Sequence, residues 1–327
     1  MIDQVALLLA GLVGLFFGGN WLVRGASNLA LSFGVSVLII ALTFVAIGTS
    51  MPELLVSLQA AMAGKSDLAV GNVIGSNIAN IGLILGATGL IAPLSVKAIL
   101  LRREVPIMIL ISLLAFALTI DGLISRFDGA ILLLSFVAFN LLFYWLARRE
   151  SETQERLLSD LEDSPDGKVS RGREFLFLFA GVVALVLGSR MMVEGAVNLA
   201  RLFGISELVI AITLVAFGTS LPELAASLSA AYHRETDLAI GNVVGSNIAN
   251  LLLILGVTAF VQPIQVERGA VQFEFIVMIA FAVLLIPFMR HQRLGRRGAA
   301  LFLGAYIAFV IYSIAAGSAA PEAAWLR

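Results

Sequence analysis

The sequence predicts an all-α membrane protein of ten transmembrane helices, arranged as two inverted-topology repeats of five. Three observations carry this. Of 327 residues, 60% are hydrophobic and only 13% charged, with a mean hydropathy of +1.00. A soluble domain is about 25% charged, so this chain lacks the polar groups to cover its apolar surface in water. Apolar stretches of spanning length recur from end to end, and a long segment returns at an offset of 170 residues. The same composition excludes other classes. A net charge of -1 gives no basic field for nucleic acid. The absence of Cys removes disulfides and thiolate chemistry, and His233 and His291 are too few for a histidine cluster.

The predicted spans are 4–23, 37–62, 68–92, 105–121, 129–147, 173–193, 207–231, 238–261, 272–289 and 299–317. They are too long and too uniformly apolar for barrel strands, which alternate in short segments. The first follows MIDQ, without Lys or Arg, and is expected to be a retained span and not a signal peptide. With ten spans, 15 of the 21 Lys and Arg fall on one side and 6 on the other. The positive-inside rule then makes the richer side cytoplasmic and places both termini outside. The one polar stretch, 148–172, mixes charge signs and carries the turn signal Pro165-Asp166-Gly167. It is expected to be a cytoplasmic linker between a first repeat at 1–147 and a second at 173–327.

The repeat is plain in the residues. ALTFVAIGTSMPELLVSLQA at 41–60 returns as AITLVAFGTSLPELAASLSA at 211–230, and DLAVGNVIGSNIAN at 67–80 as DLAIGNVVGSNIAN at 237–250. Over 41–90 against 211–260, 31 of 50 positions are identical. Five spans separate equivalent points, and five is odd, so the second copy faces the opposite way. Inverted halves of this kind build transporters with the substrate site near the midplane. The retained residues are the polar ones, while neighbours such as Leu55 and Ala225 drift.

Those polar residues form a constellation inside the membrane. Glu53 and its mate Glu223 lie within apolar spans, where a carboxylate is costly and therefore functional by default. Pro52 and Pro222 precede them and remove a helix hydrogen bond to Gly48 and Gly218, which predicts an opened helix with freed carbonyls. Thr49 and Thr219 stand one turn before the glutamates. Asn72, Ser76 and Asn80 run at i, i+4, i+8, as do Asn242, Ser246 and Asn250, so each set forms a stripe on one helix face. Hydroxyl, amide and carboxylate oxygens are hard ligands, suited to Ca²⁺ and Na⁺. Gly71 and Gly75, and Gly241 and Gly245, are spaced for close helix approach. GNVIGSN is no nucleotide loop, because no strand precedes it. Asp67 and Asp237 stand at span mouths, where they attract cations or cap helices. Asn28, Asn198, Glu104 and Glu274 also keep the offset, with Glu104 expected in a surface ion pair beside Arg102 and Arg103.

These motifs resemble those of the sodium/calcium exchanger family, prokaryotic-type ten-span members of the calcium/cation antiporters. GTSMPE at 48–53 and GTSLPE at 218–223, with the two GSNIAN stretches, look like that family's paired alpha repeats. The resemblance extends over nearly the whole chain. It implies a transporter and not an enzyme, with no cofactor, a prokaryotic cytoplasmic membrane location, and Ca²⁺ and Na⁺ as transported ions. It implies Glu53 and Glu223 as central cation ligands, flanked by Thr49, Ser50, Thr219 and Ser220, with Ser76, Asn80, Ser246 and Asn250 from the following helices. It also implies that the first and sixth helices slide against the other eight. Many members carry an acidic residue at the place of Asn80 or Asn250, and potassium-dependent ones typically Asp; here both are Asn. Proton-coupled cation exchange through the same two glutamates stands as the alternative.

Overall fold

The structure is a computed structural model that describes residues 2–159, 170–203, 216–266, 272–289 and 292–319. It is helical almost throughout. Helix α1 (Ile2–Phe33) is followed by a bent pair, α2 (Val37–Thr49) and α3 (Met51–Met62), and then α4 (Ser66–Ile91). Next come α5 (Val105–Ala117) and α6 (Arg126–Ser159). The second half contains α7 (Arg171–Leu202), α8 (Ala216–Thr219), α9 (Leu221–Tyr232), α10 (Thr236–Val261), α11 (Gln272–Met289) and α12 (Arg296–Ala319).

Among the described residues six helices are long and apolar enough to cross a membrane, or seven if α2 and α3 form one span; α11 is shorter. Two of the ten expected spans fall short for identifiable reasons. The α-helical part of α5 is 13 residues because a π-helical turn, Leu100–Glu104, leads into it. The first part of the expected span 207–231 lies outside the described residues, which resume at α8. Elsewhere the helices outrun the expected bounds. Helix α1 continues ten residues past 23, and α6 continues to Ser159, into the stretch expected to be linker. The rest of that linker, 160–169, the N-terminal Met1 and the C-terminal 320–327 lie outside the described residues.

Burial separates inner from outer helices. The spanning windows of α4 and α10 are 72% and 83% buried, those of α6 and α12 only 22% and 17%. The outer helices therefore turn apolar side chains such as Leu134, Leu141 and Ile311 outward, as a lipid-facing helix must. The inner helices carry Gly, Ser and Asn, whose small side chains permit tight packing. Gly241 and Gly245 meet this expectation: a Cβ on either would lie 2.6–2.7 Å from Ala41 Cβ or Leu42 Cα on α2. At Gly71 and Gly75 nothing among the described residues lies within 4 Å of such a Cβ.

Contacts between the halves recur at the 170-residue offset. Two short antiparallel bridges, absent from the sequence-based expectation, pair β1 (Leu94–Ser95) with β4 (Arg293–Leu294) and β2 (Leu123–Ile124) with β3 (Ile264–Gln265). Leu94 and Ile264 are repeat mates, as are Ile124 and Leu294, so each bridge is the other with its partners exchanged. Turns repeat too. Gly64 ends α3 in the left-handed conformation at φ +73°, and its mate Arg234 ends α9 at φ +64°. In both, the next residue donates back to an alanine carbonyl, Lys65 to Ala60 and Glu235 to Ala230. This is the Schellman closure, which glycine makes without strain.

Helices α1 and α7 pack along a seam of glycines. A Cβ on Gly11 would lie 2.6 Å from Gly188 O, one on Gly18 2.8 Å from Leu185 N, and one on Gly25 2.5 Å from Leu178 N. The backbones thus touch with no side chain between them. Both ends are pinned by amides. Asn28 donates to Glu174 at 3.0 Å, and its mate Asn198 donates to Gln4 at 3.2 Å. Glu174 is buried and also pairs with Arg173 at 3.0 Å and Arg24 at 3.6 Å.

Candidate functional site

The expected break in the second span is present. Helix α2 stops at Thr49, Ser50 takes a turn conformation (φ -85°, ψ 9°), and α3 restarts with Pro52 in its first turn, bent by 45°. Helix α9 restarts in the same way after Ser220, with Pro222 in its first turn. The missing proline N–H leaves a carbonyl four residues back without its helix partner. On the second copy that carbonyl accepts from Ser189 Oγ at 2.7 Å. Gly48 and Gly218 serve a second purpose beyond easing the proline. A Cβ on them would strike Val182 at 2.8 Å and Val193 at 2.3 Å, so their bareness lets α7 lie against both breaks.

The breaks bring the two glutamates together. Glu53 and Glu223 are each 1% exposed. Ser50 Oγ donates to Glu223 Oε1 at 3.0 Å across the two halves. Glu53 faces Thr219 and Ser220 in turn, although Ser220 Oγ does not reach hydrogen-bonding geometry. Thr49 Oγ1 is 3.2 Å from Asn242 Oδ1.

Ser76 and Ser246 are buried on α4 and α10, one turn before Asn80 and Asn250. Each of these asparagines opens a π-helical turn, Asn80–Leu85 and Asn250–Ile254. Such turns are rare and widen the helix, which re-aims the side chain at their start. Asn72 and Asn242 occupy the stripe but act as glue. Asn72 donates to Ser57 Oγ at 2.9 Å and Glu53 O at 3.2 Å, and Asn242 to Ser227 Oγ at 3.1 Å and Glu223 O at 3.4 Å.

Six side-chain oxygens of the sequence-predicted ligands are buried and make no hydrogen bond among the described residues: Glu53 Oε2, Glu223 Oε2, Asn80 Oδ1, Asn250 Oδ1, Ser220 Oγ and Ser246 Oγ. Leaving one buried polar atom unpaired costs about 1–3 kcal/mol. Buried oxygens without a donor are the kind of group that a hard cation can satisfy. Among the described residues no three of His, Cys, Asp or Glu gather as a metal centre would require.

Other sequence candidates lie elsewhere. Asn28 and Asn198 pin the α1–α7 seam. Glu104 is fully buried and pairs with Arg103, so its ion pair is internal and not a surface one. Neither Asp67 nor Asp237 caps its helix: the N-cap positions are Lys65 and Glu235, without side-chain bonds. Asp237 instead pairs with Lys97 at 2.7 Å. Sequence reasoning passed over Asn77 and Asn247, which hydrogen-bond across the halves between the two ligand stripes. Their retention at the offset, beside Ser76 and Ser246, was the available signal. It also passed over the glycine seam, legible as glycines seven apart at 11, 18, 25 and again at 181, 188, 195.

Comparison with known proteins bears on the whole chain. The family model described as "Sodium/calcium exchanger protein" matches residues 4–145 and 173–315. The inner membrane protein YrbG of Escherichia coli is 38% identical over 320 residues, covering 95% of this chain and 96% of its own. The sodium/calcium exchanger MaX1 of Methanosarcina acetivorans is 33% identical, covering 93% of this chain and 97% of its own. The solved structure of the sodium-calcium exchanger NCX_Mj, soaked with zero Na⁺ and Ca²⁺, superposes with a TM-score of 0.82 at 34% identity, covering 96% of this chain and 99% of its own. The chain therefore belongs to the sodium/calcium exchanger family of calcium/cation antiporters, and it is a membrane transporter and not an enzyme.

Proposed function

We propose that this protein exchanges Ca²⁺ for Na⁺ by alternating access at one midplane site. The ligands are Glu53 and Glu223, with Thr49, Ser50, Thr219, Ser220, Ser76, Asn80, Ser246 and Asn250. The observation that carries the reading is that Glu53, Glu223, Ser220, Ser246, Asn80 and Asn250 each keep a buried side-chain oxygen without a hydrogen-bond partner among the described residues, while Ser50 of one half bonds Glu223 of the other at 3.0 Å. Two negative charges balance one Ca²⁺ or about two Na⁺, so either cargo neutralises the site. A site shared by both ions is what exchange requires, because the protein then changes sides only when loaded.

The frame is ten spans in two inverted halves, 1–147 and 173–327, joined by a cytoplasmic linker over 148–172. The protein sits in a prokaryotic cytoplasmic membrane with both termini extracytoplasmic. The exchanged bridges and mirrored amide bonds support the inversion, and bacterial and archaeal relatives support the setting. Helices α1 and α7 are the sliding pair. Their two faces are not equivalent, as a caught transport state requires. Helix α1 lies against α9, where a Cβ on Gly19 would meet Ser229 Cβ at 2.8 Å. Across the repeat, Ser189 is bonded to Gly218, and Leu55, the mate of Ala225, is 57% exposed. In the proposed topology the open side faces outward.

The test is ⁴⁵Ca²⁺ uptake into proteoliposomes under opposed Na⁺, K⁺ or H⁺ gradients at clamped voltage, paired with Ca²⁺ binding at several Na⁺ concentrations. An opposing Na⁺ gradient should drive uptake, and Na⁺ should compete with Ca²⁺. Uptake driven only by a pH gradient, with binding indifferent to Na⁺, would assign a proton-coupled exchanger instead.

A further inference from the structure

We propose that Asn77 and Asn247 are positioning residues that determine which end of the Asn250 and Asn80 amides faces the transported cation. The inference rests on the cation site proposed above. A side-chain amide has an oxygen end and an NH₂ end of nearly the same shape. Only the oxygen can bind a hard cation. A half-turn about the last side-chain bond would convert a ligand into a repelling donor. Neither Asn80 nor Asn250 carries a feature of its own that selects the useful orientation.

A relay anchored on main chain selects it. The Asn247 carbonyl oxygen can only accept. Asn77 Nδ2 donates to it at 3.3 Å, which turns Asn77 Oδ1 the other way. That oxygen accepts from Asn250 Nδ2 at 3.0 Å. The NH₂ end of Asn250 is thereby held in the hub, and its Oδ1 is left buried without a partner. The other half repeats the chain of consequence. Asn247 Nδ2 donates to Asn77 O at 3.4 Å, Asn80 Nδ2 donates to Asn247 Oδ1 at 3.0 Å, and Asn80 Oδ1 is left over. Among the described residues the further hydrogen-bond partners of the hub NH₂ groups are thioethers, Met278 Sδ at 3.4 Å from Asn77 and Met108 Sδ at 3.6 Å from Asn247. Thioether sulfur is a weak acceptor and does not compete with a carbonyl. Asn77 is 0% and Asn247 2% exposed, so both amides are shielded from bulk water. Flipping any one amide sets oxygen against oxygen or NH₂ against NH₂.

A hub that merely glued the halves together would need only the two bonds to backbone. The additional bond that each hub amide accepts from a stripe asparagine, together with the stripe oxygen left unpaired, points to positioning. A carboxylate has no wrong end, and this provides the test. Ca²⁺ affinity of purified protein would be measured by calorimetry in Na⁺-free buffer for Asn77→Ala, N250D and the double variant. Loss of an outer partner of a metal ligand costs roughly 10- to 100-fold in affinity. Asn77→Ala should therefore weaken Ca²⁺ by that factor in the otherwise unchanged chain. In the N250D background it should change affinity by no more than about twofold, or improve it, because the introduced carboxylate would otherwise face the Asn77 oxygen. The mirror set, Asn247→Ala with N80D, should behave alike.

An equal loss in both backgrounds, or no loss in the unchanged chain, would overturn the relay. So would failure of both alanine variants to elute as folded protein, which would make the hub structural. Wild-type protein that binds neither Ca²⁺ nor Na⁺, or E53Q that binds Ca²⁺ like wild type, would instead overturn the site itself.

Discussion

A single methyl group tests the α1–α7 seam, because the geometry fixes how badly it fits. In Gly181→Ala the new Cβ would lie 2.5 Å from Leu22 N, 2.8 Å from Leu22 Cα and 2.9 Å from Gly18 O. Ordinary contact begins at 3.4 Å, so the methyl lacks about 0.9 Å of room. Every opposing atom is main chain of another helix, and no rotamer change can yield the space. The helices must part, and the close contacts at Gly11, Gly18 and Gly188 loosen with them. Overpacking of this kind costs about 1–3 kcal/mol. Alanine returns about 1 kcal/mol of helix propensity over glycine. With rigid neighbours on every side the upper part of that range applies, leaving a net loss of about 1–2 kcal/mol. Gly304→Ala is the control. It lies in α12 with nothing within 4 Å of its Cβ, so only the propensity gain remains. The assay is thermal unfolding of the purified proteins in one detergent, read as loss of monodisperse elution after heating. Gly181→Ala should melt below wild type and Gly304→Ala at or above it. A Gly181→Ala protein as stable as wild type would refute the tight seam and the idea that α1 and α7 move as one body.

Removal of either central charge should nearly abolish transport while sparing the fold. Reconstituted E53Q or E223Q should elute normally yet show almost no gradient-driven ⁴⁵Ca²⁺ uptake, and wild-type flux in either would remove the glutamates from the site. Arg234 holds a left-handed backbone that its mate Gly64 adopts freely. R234G should therefore raise stability by about 1 kcal/mol in the same melting assay, and a lower midpoint would show that the Arg234 side chain matters more than its backbone. Single cysteines placed at 1, 160 and 327 should label from opposite sides of sealed vesicles, 160 apart from the two ends; 160 sharing a side with either terminus would sink the proposed topology.

Much of the candidate site was legible because polar residues are conspicuous in apolar runs. Glu53, Glu223, Ser76, Ser246, Asn80 and Asn250 stood out as polar groups in apolar runs, and the structure buries all six. The duplication compounded the signal, since residues kept at both ends of a 170-residue offset have survived drift twice. Helix content followed from the same apolar runs, and the break at Ser50 from proline chemistry. The π-helical turns at Asn80 and Asn250 left no mark, because their residues have no propensity that separates a π turn from an α turn.

What the chain alone determined was therefore which stretches are apolar and helical and which polar residues interrupt them. Which helix lies against which was decided only in three dimensions. Apolar faces are interchangeable in hydrocarbon, so hydropathy does not say that α1 meets α7 or that α10 meets α2. Close approach picks the partner, and it depends on glycines of α1 meeting glycines of α7, and on Gly241 and Gly245 of α10 meeting Ala41 and Leu42 of α2. The same holds for the amides. A sequence shows that Asn250 is present, but not what its amide bonds to. In the structure its Nδ2 donates to Asn77, contributed by the other half of the chain and bonded in turn to the Asn247 carbonyl.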